Sequence, residues 1–120
     1  MDIHKESLLN QIKNFIRELR TLFPQDQIFS VAEYSIKMYA TTDPENLITT
    51  FKTYLNEYRT KIEKKDETFF MTTEYDFNKT SYTEKIISQL RTKWNTLDEQ
   101  NKKSIWLYLA VILKLSDKCT

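Results

Sequence analysis

The chain has 120 residues and contains no glycine. Average usage would place roughly eight glycines in a chain of this length. Rossmann fingerprints, Walker loops and nucleophile elbows each need glycine where the backbone turns tightly or approaches a phosphate closely. The sequence therefore excludes these three designs. It also predicts helices that end without a left-handed glycine, and we expect residues such as Asn78 or Asn95 to take that conformation instead.

The composition is that of one globular domain spanning residues 1–120. Lys plus Arg number 18 and Asp plus Glu 17, so the net charge of +1 indicates no class of partner. The N-terminal residues lack the pattern of a signal peptide, and the single cysteine, Cys119, cannot form an internal disulfide. We therefore expect an intracellular protein.

The first half of the chain predicts three helices. The first has apolar residues every three or four positions and ends at Pro24: Leu8, Leu9, Ile12, Phe15, Ile16, Leu19, Leu22 and Phe23. The second, over about residues 25–40, has a weaker stripe of Ile28, Val31, Ala32, Ser35, Met38 and Tyr39. The third begins at the N-cap Asp43 with Pro44 in its first turn, and its stripe continues to about Ile62.

The second half predicts three more helices. A short helix carries Phe69 and Phe70, and a polar loop follows over residues 72–79. Two capping boxes, Ser81 with Glu84 and Thr96 with Glu99, predict the starts of the fifth and sixth helices.

The sixth predicted helix is unusual because residues 105–113 are all nonpolar. This run is too short to cross a bilayer, which needs about 17–25 apolar residues. A helical projection places Leu107 and Val111 beside Lys114, opposite the face that contains Leu109. Either other helices surround this helix, or Leu107, Val111 and Lys114 form a patch that binds a partner. We favour central burial.

The residues that usually carry chemistry are sparse. His4 is the only histidine and lies far along the chain from Cys119, so neither a Cys–His catalytic pair nor a structural zinc site is expected. Glu74 and Asp76 lack the glycine and the ligand series of a calcium loop. We predict a protein that is not an enzyme, with no cofactor, no metal and no small-molecule substrate.

Basic residues in the second half provide an alternative. Candidate contacts to nucleic acid are Lys61, Lys64, Lys65, Lys102 and Lys103. Interleaved aromatic residues such as Phe69, Phe70 and Trp94 have the chemistry to stack on bases, although core packing is the favoured role for them. The second half has 11 basic against 9 acidic residues, which is a weak basic footprint for phosphate binding.

Two patterns resemble known families. Phe69-Phe70, Trp94 and Lys102-Lys103 resemble an HMG-box, but HMG-boxes continue into a basic helix where this chain is apolar, so we do not expect DNA bending. A longer pattern covers about residues 43–115: Asp43-Pro44, Phe51, Asp66-Glu67-x-Phe69-Phe70, Trp94-x-x-Leu97 and Asn101-Lys102-Lys103-x-Ile105-Trp106-x-Tyr108-Leu109-x-x-x-Leu113. It is similar to small helical proteins of nucleocytoplasmic large DNA viruses. That resemblance implies a viral source and an all-helical fold and transfers no site residue.

The sequence thus predicts an all-α fold, a compact single-domain bundle of five or six helices around an apolar C-terminal helix. The predicted function is a non-enzymatic protein-interaction module that binds a protein partner or itself. Its source would be viral, as an accessory or minor virion protein in the host cytoplasm, the nucleus or the virion. Nucleic-acid binding is one alternative. A host-mimicking helical fold that binds an amphipathic helix is another, although the glycine-containing groove motif of apoptosis regulators is absent.

Overall fold

Seven α-helices form the framework of residues 2–71 and 82–119, which are the residues that the computed structural model describes. The helices are α1 (Ile3–Leu22), α2 (Gln27–Thr42), α3 (Pro44–Glu57), α4 (Arg59–Glu63), α5 (Thr68–Met71), α6 (Tyr82–Lys93) and α7 (Glu99–Asp117). A single 3₁₀ turn, Trp94–Thr96, joins α6 to α7. These two stretches contain no β-strand, and the predicted all-α class is confirmed. The predicted polar loop over residues 72–79 lies outside the described residues.

Aspartates cap the N-termini of the four longest helices. Each carboxylate accepts a backbone N–H two or three residues ahead, at 2.8 Å for Asp2, 3.2 Å for Asp26 and Asp43, and 2.8 Å for Asp98. These bonds satisfy amide groups that have no partner inside the helix. The predicted start of a helix at Asp43-Pro44 is confirmed.

The predicted capping box of Thr96 with Glu99 is wrong. Asp98 is the N-cap of α7, whereas the Thr96 hydroxyl donates to the Lys93 carbonyl at 2.6 Å within the 3₁₀ turn. The carboxylate of Asp98 is a stronger acceptor than a hydroxyl, and the Asp98 backbone is already in the extended conformation that an N-cap requires. The other predicted capping box depends on Ser81, which is outside the described residues.

The third predicted helix is interrupted before Ile62. The break falls at Tyr58, whose ψ of 21° ends α3 and whose ring packs on Tyr54 and Phe69 with centroids 5.2 Å away in both cases. After the break, α4 turns Ile62 into the core. The break therefore coincides with a cluster of three aromatic rings.

Lys65 takes the left-handed conformation that ends α4, with φ of 52°. The Asp66 amide donates to the Lys61 carbonyl at 2.8 Å and the Lys65 amide to the Ile62 carbonyl at 3.1 Å. This is the bond pattern of a Schellman motif, in which glycine normally occupies the position of Lys65. The prediction that Asn95 takes this conformation is wrong, because Asn95 lies in the 3₁₀ turn. Asn78 is outside the described residues.

Helix α1 buries one face against the other helices. It contacts α7, α2 and α3, and α3 in turn contacts α2 and α7. The core side of α7 consists of Ile105, Trp106, Leu109, Ile112, Leu113 and Ser116. The buried Cys119 follows α7, and the Lys52 ammonium donates to its backbone carbonyl at 2.8 Å, which fastens the end of α7 to α3. The folded framework therefore leaves the outer sides of α2 and α7 open to solvent.

Candidate interaction surface

The candidate patch on α7 is partly exposed. Leu107 has 65% of its surface exposed, Lys114 is exposed and Val111 is half-buried. The favoured central burial is therefore wrong for Leu107, because α1, α3 and α4 pack on one side of α7 only. The described residues agree with the alternative of an open face. Leu107 is the only large, exposed apolar residue of α7, however, and isolated exposed apolar residues are common on protein surfaces.

The five lysines that the nucleic-acid alternative proposes as phosphate contacts are not all available to a ligand. The Lys102 side chain is only 15% exposed and lies near the carboxylates of Glu67 at 3.8 Å and Glu99 at 3.9 Å, with its ammonium 5.3 Å from the centroid of the Trp94 ring. Lys64, Lys65 and Lys103 are exposed, and Lys61 is half-buried. Lys102 is thus engaged within the protein.

The aromatic residues that could have stacked on bases are buried in the core. The rings of Phe70 and Trp94 stack with centroids 4.0 Å apart and an interplanar angle of 13°, and Trp106 lies edge-on to Trp94 at 5.6 Å. Phe69 packs edge-on against Phe70 at 4.7 Å. The prediction that these rings serve the core is confirmed. The Trp94 indole N–H has no hydrogen-bond acceptor among the described residues.

A larger exposed apolar surface lies on α2, where the sequence predicted a buried face. Ile28, Val31, Tyr34 and Met38 are spaced three, three and four residues apart and form one line along the helix, which we call the outer stripe. Val31 is 63% exposed and Tyr34 is 71% exposed. The predicted core stripe is therefore wrong for Ile28, Val31 and Met38. The buried face consists of Phe29, Ala32, Glu33 and Ile36.

The outer stripe is also free of charge. Helix α2 contains only two charged residues: Glu33, which lies on the buried face, and Lys37, which borders the stripe beside Tyr34. The other exposed residues of α2 are the polar Gln27, Ser30, Thr41 and Thr42 and the cationic Lys37. A helix that is apolar on two opposite faces needs a second packing partner or exposes apolar surface to water. A helical projection of residues 27–42 would have shown the uncharged second face, and this signal was missed.

A buried carboxylate fixes which face of α2 points inward. Glu33 is 5% exposed, accepts a charged hydrogen bond from Arg20 of α1, and has the Lys37 ammonium 3.6 Å away. Paired in this way, the carboxylate keeps its charge next to the core without being left unsatisfied. Phe23 stacks on Phe29 with centroids 5.4 Å apart and supports the same rotation of the helix.

A groove with a cationic lining runs between α1 and α2. Its volume is about 890 Å³. The lining consists of Glu6, Leu9, Asn10, Lys13, Asn14, Arg17, Lys37, Ala40 and Thr41. Three of these residues are cationic and one is anionic, so the groove attracts negative charge.

The described residues contain no group of three or more His, Cys, Asp or Glu side chains that could hold a metal ion. Burial raises the pKa of the Cys119 thiol, and burial likewise raises the pKa of Tyr54. Among the helices of the described stretches, none combines the length and the apolar character that crossing a membrane requires.

Comparison with known proteins identifies no relative. No family model, no curated protein and no solved structure matches this chain. The assignment of a function therefore depends on the surfaces described above.

Proposed function

We propose that this chain is a protein-interaction module whose docking surface is the outer stripe of α2. The observation that supports this proposal is the line of four exposed apolar side chains on a face without charge, opposite the face that α2 already buries. From Ile28 to Met38 the stripe extends about 15 Å along the helix axis, at about 1.5 Å per residue. Ridges of this kind pack well into the grooves of another helix.

The stripe alone supports modest affinity. Full burial of one large apolar side chain contributes about 1.5–3 kcal/mol, so covering the exposed parts of these four would contribute roughly 3–6 kcal/mol. Association costs an estimated 4–15 kcal/mol in lost freedom of motion. A partner that covers only Ile28, Val31, Tyr34 and Met38 would therefore bind weakly, and a specific partner needs further contacts near the stripe.

The test is site-specific photocrosslinking in the cell of origin. A benzophenone amino acid replaces Tyr34, an aromatic and largely exposed position, and in a second variant it replaces Leu107 on α7. We expect a discrete crosslinked protein from position 34 that disappears when Val31 and Met38 are both changed to Ser. Because both residues are exposed, urea unfolding should show that this double variant remains folded.

Position 107 is the matched control and also tests the other surface. Position 107 could give a crosslink while position 34 gives none. If that crosslink is lost when the neighbouring Val111 is changed to Glu, the docking surface is on α7 and the proposal for α2 is contradicted. The absence of crosslinks from both positions would contradict both surfaces. The predictions that the chain is not an enzyme, that its source is viral and that it acts inside a host cell remain predictions.

A further inference from the structure

The cationic groove borders the outer stripe. Lys37 follows Tyr34 by three residues, and Thr41 follows Met38 by three, so each of these groove residues of α2 neighbours a stripe residue on the helix surface. Lys13 and Arg17 line the opposite wall of the groove. A molecule lying on the stripe therefore has a row of positive charge along one of its sides.

The two cations of α1 in this groove have no partner among the described residues. Neither the Lys13 ammonium nor the Arg17 guanidinium forms an ion pair or a hydrogen bond with a described residue, whereas Arg20 and Lys37 share the single carboxylate of Glu33. Lys13 and Arg17 are four residues apart on one helix, a spacing at which like charges repel. An anionic group in the groove would remove this repulsion.

These observations concern the partner of the surface proposed above, and the inference rests on that proposed function. We infer that the outer stripe binds an amphipathic helix with acidic residues along one edge. The apolar face of that helix covers Val31, Tyr34 and Met38, and its acidic edge lies in the groove against Lys13 and Arg17. The charge contacts supply the additional affinity and the direction that an uncharged stripe does not provide.

Helix α2 of a second copy does not have the required acidic edge. The only acidic residue of α2 is Glu33, which is buried and paired. The carboxylates at the two ends of α2 are also occupied, because Asp26 accepts from the Gln89 amide and caps α2, and Asp43 caps α3. Pairing α2 with another α2 would bury apolar surface but would leave Lys13 and Arg17 without partners.

An anionic membrane is also a poorer fit. Helices that lie on membranes have basic residues across a broad polar face. Here the cations lie along one border of the stripe only, and on the other side of α2 Tyr39 stacks against Tyr82 of α6 with centroids 5.4 Å apart. One-sided charge matches one edge of a helix.

The experiment uses the full chain and three labelled helical peptides of about 18 residues, which share one leucine stripe. The edge positions are all Glu in the first peptide, all Gln in the second and all Lys in the third. Fluorescence anisotropy at low salt should rank their affinities Glu over Gln over Lys. Two ion pairs at the protein surface, to Lys13 and Arg17, predict roughly a fivefold preference for Glu over Gln. This preference should shrink in about 0.5 M salt because exposed charges are screened.

Charge reversal provides the matched control. In the variant Lys13→Glu with Arg17→Glu the ranking should invert, so that the Lys peptide binds best. Lys64→Glu with Lys65→Glu makes the same change of net charge at two exposed lysines beyond α4 and should leave the ranking unchanged. The variant Val31→Ser with Met38→Ser should weaken all three peptides about equally.

Each contrary result has a distinct meaning. Equal affinity of the Glu and Gln peptides, lost on Val31→Ser with Met38→Ser, overturns the acidic edge but leaves the stripe as the docking surface. If the Glu peptide binds the variant Val31→Ser with Met38→Ser as tightly as it binds the natural protein, the stripe is overturned as well. The stripe is also overturned if none of the three peptides binds and position 34 gives no crosslink. Dimerisation in sedimentation experiments that is lost on Val31→Ser with Met38→Ser would overturn the inference in favour of a second copy. Binding to vesicles with about 30% phosphatidylserine that is lost in the same variant would overturn it in favour of a membrane.

Discussion

Lys65→Gly is expected to stabilise this glycine-free protein. Lys65 has φ of 52° at the end of α4, where a side chain with a Cβ atom costs about 1–2 kcal/mol and glycine costs nothing. Glycine also gives the unfolded chain more freedom, which costs about 0.4–1 kcal/mol. The net gain in the free energy of unfolding should be about 0.5–1 kcal/mol. Lys65 is exposed, so no buried contact is lost.

Lys64→Gly is the control for this prediction. Lys64 is also exposed and carries the same charge, but its φ of −87° and ψ of −3° are ordinary right-handed values. Glycine there should cost about 0.5–1 kcal/mol in backbone entropy. With a urea slope of about 1.5 kcal/mol/M, the unfolding midpoint should rise by roughly 0.3–0.7 M in Lys65→Gly and fall by a similar amount in Lys64→Gly. A midpoint for Lys65→Gly no higher than that of Lys64→Gly would refute the left-handed assignment.

Three further predictions test packing, thiol chemistry and pH dependence. Leu109→Ala should cost about 2–5 kcal/mol because Leu109 is fully buried, whereas Leu107→Ala, on the open side of the same helix, should cost less than about 1 kcal/mol; equal urea midpoints would contradict the orientation of α7. Burial raises the pKa of the Cys119 thiol, so iodoacetamide at pH 8 should alkylate the native protein much more slowly than the urea-unfolded chain, and equal rates would show that the thiol is accessible. A hydrogen bond from Arg59 lowers the pKa of the Asp117 carboxyl below its ordinary 3.8, so this carboxylate stabilises the fold above that pH, and the stabilisation is lost as the pH falls through the lowered value. Asp117→Asn should therefore be less stable than the natural protein at pH 7, and the difference between the urea midpoints should shrink as the pH is lowered step by step below 3.8. A constant difference would exclude this linkage.

Helix positions could be predicted from the sequence where one local signal was sufficient. Asp43 followed by Pro44 combines an N-cap with a residue suited to the first turn, and the structure has α3 starting there. The apolar spacing of α1 likewise identified Leu8 to Leu19 as a buried face. These features depend on neighbours within a turn or two of the same helix, so no knowledge of the tertiary fold was needed.

Helix ends and breaks could not be predicted from residue type alone. Tyr58, where α3 ends, packs on Phe69, which belongs to another helix. The choice of Lys65 for the left-handed position depends on the Schellman bonds to the carbonyls of Lys61 and Ile62, and residue type alone favours asparagine. Where tertiary packing sets the end of a helix, propensity is a weak guide.

The outer stripe of α2 could not be predicted by assigning apolar residues to the core, because α2 has two apolar faces. What decides between them is the pairing of Glu33 with Arg20, a residue of another helix, together with the stacking of Phe23 on Phe29. A carboxylate argues against burying its side of a helix only when no cation pairs with it. With Glu33 paired to Arg20 and with Phe29 and Ile36 fully buried on the same side, the stripe of Val31, Tyr34 and Met38 faces outward. The same rotation places Lys37 at the groove beside Lys13 and Arg17, so one orientation of α2 gives both the exposed apolar surface and the positive charge along its border.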